Sequence, residues 1–257
     1  MPQRRFYHPS NATLVISGDV TPERALAVAR EHFGAIEQGT AYAEVDCFRP
    51  KIVAVSGERR LSLAWDDQGK RLCIAWPGTS VGTEDDDALD VIAALLSGGR
   101  LSRLYKRLVV DTGLATSINV SNDARVEGGL FWIFAECAAA AKPEALERAI
   151  DEELALLAKQ RVGAKELARV IAMLEASEAY DEETVSDLAE MVGEYAVDAH
   201  WTLAFEAIER VKLVTPARIQ ECARRLLARD SRVVGWCLPK PGKKAGGARL
   251  PAKSKAR

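Results

Sequence analysis

Histidine is scarce in this 257-residue chain: there are three, His8, His32 and His200, and none has a second histidine four residues away. A helix-borne site for zinc-assisted hydrolysis needs such a pair together with a base, so these residues do not encode one. The five cysteines, Cys47, Cys73, Cys137, Cys222 and Cys237, never adopt a C-x-x-C spacing, which argues against a zinc ribbon or a dithiol redox motif. Odd in number and far apart, they read as small buried hydrophobes, a usage that points to a cytoplasmic compartment ahead of a periplasmic one. No run approaches the roughly 18 to 20 apolar residues that a membrane helix requires. A G-x-S-x-G nucleophile elbow is missing. So is a Walker phosphate loop, because the glycines of Ser97-Gly98-Gly99-Arg100 close a helical pattern instead of opening one.

What is present suits a globular protein, with 48% hydrophobic and 28% charged residues. The formal charge of −2 becomes −9 once the seven positive charges of residues 239–257 are set aside, since that stretch holds no acid. An acidic body argues against a nucleic-acid partner, and residues 240–257 have the composition of a solvated basic tail.

Residues 12–17 form a β-branched run closed by Gly18-Asp19 and predict a strand. A helix follows, with Thr21 as its cap, Pro22 at its first position and Gly34 at its stop. Short runs at 51–55, 61–65 and 71–76 predict three strands. Thr83 then precedes four carboxylates, Glu84 to Asp87, and a helix that ends at Ser97-Gly98-Gly99. In a first helical turn these acids are stabilised by unpaired amides and the dipole, so they read as a cap and not as a cation site. A further helix is expected at 101–110 and strands at 115–121 and 129–137. Helix is expected almost throughout 143–229, broken near Gly163, near 198–200 and before Thr215-Pro216, and a last strand at 232–238. Strands in the middle and helices in the second half predict an α+β fold, a layered antiparallel-rich sheet packed by helices on one side.

Three segments, in order, resemble the pitrilysin or insulinase family of zinc metallopeptidases, which includes the mitochondrial processing peptidases. They are Phe6-Tyr7-His8-Pro9-Ser10-Asn11-Ala12-Thr13-Leu14-Val15-Ile16-Ser17-Gly18-Asp19-Val20, then Leu95-Leu96-Ser97-Gly98-Gly99-Arg100-Leu101-Ser102-Arg103-Leu104-Tyr105, then Gly113-Leu114-Ala115-Thr116-Ser117. The resemblance implies that residues 1–38 close a preceding, mostly absent α+β subdomain, that 39–50 are a linker, and that 51–239 are a complete second subdomain. The H-x-x-E-H helix of such enzymes is absent, so the family's zinc has no ligand here and none of the residues is implied as a general base. Family enzymes also use an Arg and, seven residues on, a Tyr to hold the peptide and steady the oxyanion. Val109 and Thr116 fall at those two positions, and neither supplies that chemistry.

What the resemblance leaves is a chamber wall. Gly98, Gly99, Leu101, Ser102 and Arg103 fall on the family loop that lines the space between two halves. The implied function is a zincless, non-catalytic half that helps bind a peptide or unfolded protein. Its implied partner is a zinc-bearing subunit or upstream domain, or a second copy. A truncated piece of an active single-chain protease and a scaffold module of the same fold are the other two readings.

Overall fold

The computed structural model describes residues 7–37, 56–181 and 183–240. The strand expected at 51–55, Phe6, Cys47 and the basic tail lie outside these residues.

Residues 12–17 join no ladder among the described strands, so the strand expected there is not formed. A β-branched run satisfies its backbone as a strand only when a neighbour pairs with it, and none of the described strands does. Helix α1, Pro22–Phe33, follows as expected. Thr21 Oγ1 accepts the Arg24 amide at 3.3 Å, and Pro22 occupies the first turn, where a missing N–H costs nothing.

The body is a five-stranded sheet in the order β1-β5-β2-β4-β3. Its strands are β1, Arg59–Trp65; β2, Lys70–Pro77; β3, Ala115–Asp123; β4, Leu130–Cys137; and β5, Val233–Pro239. Only β1 and β5 run parallel, and the other pairings are antiparallel. Period-two alternation decides the faces. Leu72, Ile74 and Trp76 on β2, Phe131, Ile133 and Ala135 on β4, and Val234 and Trp236 on β5 are buried under the helices. The opposite face is left uncovered among the described residues. Leu61, Leu63 and Trp65 of β1 are 49%, 56% and 59% exposed. Cys73, expected to be buried, lies exposed on that face; Cys137 and Cys222 are buried as expected.

Five α-helices follow the expected pattern: α2, Glu84–Ser97; α3, Pro143–Lys159; α4, Ala164–Asp181; α6, Leu203–Lys212; and α7, Pro216–Leu226. A sixth, α5, Val185–Asp198, arises from a break that periodicity did not reveal. There Thr184 accepts the Asp187 amide at 3.2 Å and starts a new helix. Helix α2 packs on β3, α7, α4 and α6 and buries Ala88, Leu89, Val91, Ile92, Leu95 and Leu96. Its first-turn carboxylates are capping and pairing groups. Thr83 Oγ1 accepts the Asp86 amide, Asp85 takes Arg218 and Arg225, and Asp87 takes Arg210.

A buried guanidinium joins the sheet to α3. Arg232, 1% exposed, donates to Glu58 at 2.8 Å and to both carboxylate oxygens of Asp151, and its head lies 6.0 Å from the Trp76 ring centroid. Arg60 adds a two-pronged pair to Glu147, 2.7 Å on each arm. Burial opposes charge on Glu58, but hydrogen bonds from Arg60, Arg232 and Arg229 outweigh it and bring its carboxyl down to about 2. Replacing Arg232 with Met leaves these acids without their buried partner and is expected to cost about 3–5 kcal/mol in urea unfolding. A depressed folded pKa stabilises above the unfolded value of 4.5, so the Glu58 contribution is expected to disappear as pH falls from there toward about 2 in acid titrations of stability.

Candidate functional site

The turn after α2 is shaped by two glycines for different reasons. A side chain on Gly98 would place Cβ 2.4 Å from Met173 Cε and 2.5 Å from the Ala94 carbonyl oxygen. Gly99 has open space around it but a φ of +85°, a region that disfavours any Cβ. Ser97 ties the helix end to the sheet edge, its Oγ accepting the Val120 amide at 2.9 Å.

The five residues expected to line a chamber do not share one exposure. Ser102 is fully buried, and its hydroxyl donates to the Gly99 carbonyl at 2.7 Å. Arg103 forks onto Glu166, with both arms 2.7 Å long, and the hydrogen bonds from Arg103 hold the Glu166 carboxyl below its usual range. Gly98 is half-buried and Gly99 exposed. Leu101, 68% exposed, is the one of the five whose side chain lies mostly in solvent.

Of the helix expected at 101–110, residues 101–102 stay in the turn and helix begins at Arg103; Tyr105–Asp111 is wound as a π-helix, with the Thr112 amide reaching back to the Arg107 carbonyl at 3.1 Å. Such winding is rare and concentrates at functional sites. Val109 lies within it, half-buried against the core. Thr116 is exposed at the bulge between β3 and β4, its hydroxyl 3.4 Å from the Glu136 carbonyl.

The histidines do not converge. His8 Nδ1 pairs with Ser10 Oγ at 2.8 Å, His200 Nδ1 with Thr202 Oγ1 at 2.9 Å, and His32 sits in the last turn of α1. Among the described residues no group of three or more His, Cys, Asp or Glu could hold a metal ion. The described residues therefore do not fit a zinc site, and no catalytic step is assigned to a metal among them.

Sequence reasoning missed a polar cluster at the other end of β3. Asn122 Nδ2 donates to Asp86 Oδ1 at 2.6 Å and to Asp90 Oδ1 at 2.9 Å, while Asn122 Oδ1 is buried without a partner. Burial pushes the Asp90 carboxyl up to about 7; the Asn122 hydrogen bond opposes this, and the charges of Asp86 and Asp87 add to it. The cluster lines a cavity of about 750 Å³ that Glu190, Glu194 and Tyr195 of α5 close from the far side. The pairing spans 32 residues, and no local signal in the sequence announces it.

The chain matches the Peptidase M16 inactive domain over residues 3–174, and it belongs to that family. It is 26% identical over 235 residues to an uncharacterized zinc protease of Rickettsia bellii, covering 90% of this chain and 55% of that protein. Among solved structures it resembles a protease from Helicobacter pylori, with a TM-score of 0.84 at 20% identity, over 92% of this chain and 57% of that one. It also resembles the peptidase M16 inactive domain from Pseudomonas fluorescens, with a TM-score of 0.73 at 18% identity, over 88% of this chain and 53% of that one. At such identities the structures establish the fold alone. The chain spans about half the length of the curated relatives it matches.

The two glycines should separate in a stability test. Gly98→Ala is expected to cost about 1–3 kcal/mol through overpacking against a backbone oxygen. Gly99→Ala is expected to cost about 1–2 kcal/mol through its left-handed backbone alone. In thermal unfolding, trimming Met173 to Ala should rescue neither fully, because the Ala94 carbonyl remains in the way of the first.

Proposed function

We propose that this chain is the non-catalytic wall of a peptide chamber, completed by a zinc-bearing peptidase domain that lies in another subunit or elsewhere in a longer protein. The observation that carries this reading is membership of the M16 inactive-domain family by a chain whose described residues bring no metal donors together. Two further features support it. The chain matches only about half of its relatives, and the outer sheet face around Leu61, Leu63 and Trp65 is an apolar surface of the kind that partners cover.

Within the wall, the main-chain groups of the glycine turn are spent internally. The Gly99 amide donates to Ser97 and its carbonyl accepts Ser102, while Ser97 takes the Val120 amide at the edge of β3. Strand addition at that point of the edge is therefore blocked, and the exposed Leu101 side chain supplies the contact with an extended peptide. Val109 and Thr116, at the positions of the family's Arg and Tyr, leave oxyanion stabilisation to the other half.

The purified chain should bind no stoichiometric zinc by elemental analysis and should not cleave an unfolded protein. Chelator-sensitive cleavage by the chain alone would overturn the proposal. Combined with its zinc-bearing half, Leu101→Glu should lower kcat/KM about tenfold, equivalent to about 1.4 kcal/mol, with an unchanged melting temperature.

A further inference from the structure

The cluster at the end of β3 contains an anomaly that a single proton resolves. Asn122 commits its amide hydrogens to two carboxylates, Asp86 and Asp90, while its own buried oxygen has no donor. A buried acceptor left unpaired costs about 1–3 kcal/mol. Asp86 accepts the Gly82 amide at 2.8 Å as well, so its charged form is served from two sides. Asp90 has no such second donor among the described residues, and Asn122 is its one hydrogen-bond partner there.

We propose that Asp90 is a proton-operated latch. In its neutral form it donates to Asn122 Oδ1 and lets α5 close over the cleft, and in its ionised form it loosens α5. The surroundings explain why the proton matters. On α2 itself Asp86 and Asp87 face Asp90, and α5 contributes Glu190, Glu194 and Tyr195 to the cavities it lines. Glu178 of α4 lines an adjoining cavity of about 540 Å³ with Asp90 and Tyr195, and Asp123 lies beyond Asn122 on β3. Two cations adjoin the site and both are engaged: Arg210 of α6 is forked onto Asp87 at 3.1 and 2.8 Å, and Arg125, which lines the same cavity, pairs with Asp123 at 2.8 Å and with Asp198 of α5 at 3.4 Å. A new negative charge on Asp90 therefore meets acids on several elements and arginines committed elsewhere. Tyr195 senses it directly, since burial and then the Asp90 and Asp86 charges push its phenol upward.

The sign of the effect follows from the raised carboxyl. An unfolded Asp titrates near 3.8, whereas this one holds its proton up to about 7. The folded chain binds a proton that the unfolded chain has released, so stability should fall as pH rises between these values and level off above them.

The test uses the full chain labelled with carboxyl-13C aspartate and titrated from pH 4 to 9. The Asp90 resonance, assigned through its backbone, should have a midpoint near 7, and a midpoint below 5 would overturn the proposal. Amide exchange across α5, corrected for its intrinsic pH dependence, should rise about tenfold between pH 6 and 8. Asp90→Asn donates to Asn122 permanently and should abolish that rise, and an undiminished rise in Asp90→Asn would sink the latch. Should that variant not fold, the wild-type chain decides alone. Exchange and carboxyl transitions sharing one midpoint support the latch, and separate midpoints refute it.

Discussion

The packing of α2 is the constraint on which the rest of the structure depends. Its apolar sides face β3, α7, α4 and α6 together, so four elements take their positions from one helix. An α-helix buried on so many sides leaves little solvated surface for Asp85, Asp86 and Asp87 of its first turn, and of the four carboxylates there only Glu84 stays exposed. The surrounding helices compensate: α7 sends Arg218 and Arg225 to Asp85, and α6 sends Arg210 to Asp87. The helix end is tied as firmly, through Ser97 to Val120 and through the close fit of Gly98 against Met173. The glycine turn so prominent in the sequence is thus required first by packing, and whatever it offers a ligand comes after that.

Much of this architecture was legible because local chemistry and tertiary structure agree. Thr21, Thr83 and Thr215 cap helices where a threonine precedes Pro or a run of acids, and alternation marked every strand that found a partner. The failures are equally specific. Residues 12–17 carry a strand pattern without a ladder, since pattern measures suitability and pairing needs a neighbour. The Thr184 break carries a capping signal, a threonine followed three residues later by Asp187, that a reading of helical periodicity alone passes over. Cys73 alternates onto the sheet face that no described helix covers. The π-winding of Tyr105–Asp111 leaves no mark that a 3.6-residue period can detect.

Site chemistry was less legible than fold. The reading of Val109 and Thr116 at the family's Arg and Tyr positions is a matter of residue type and rests on the sequence resemblance alone. Whether Ser102 and Arg103 face a chamber is a matter of direction, and both prove to be turned to internal partners, Gly99 and Glu166. The Asp86, Asn122 and Asp90 cluster was invisible for the opposite reason. Two ordinary helix carboxylates become unusual only when a strand brings an amide between them.

The position of β5 also governs how the sheet can be assembled. It is the last of the described strands in chain order, yet it lies between β1 and β2, and β1 touches the rest of the sheet through β5 alone among the described strands. On a ribosome, β2, β3 and β4 can pair as they emerge, whereas β1 must wait through some 170 residues of synthesis for its neighbour. Until then its leucines and tryptophan are unclaimed strand surface, and closure of the sheet waits on β5 however early the other strands have paired.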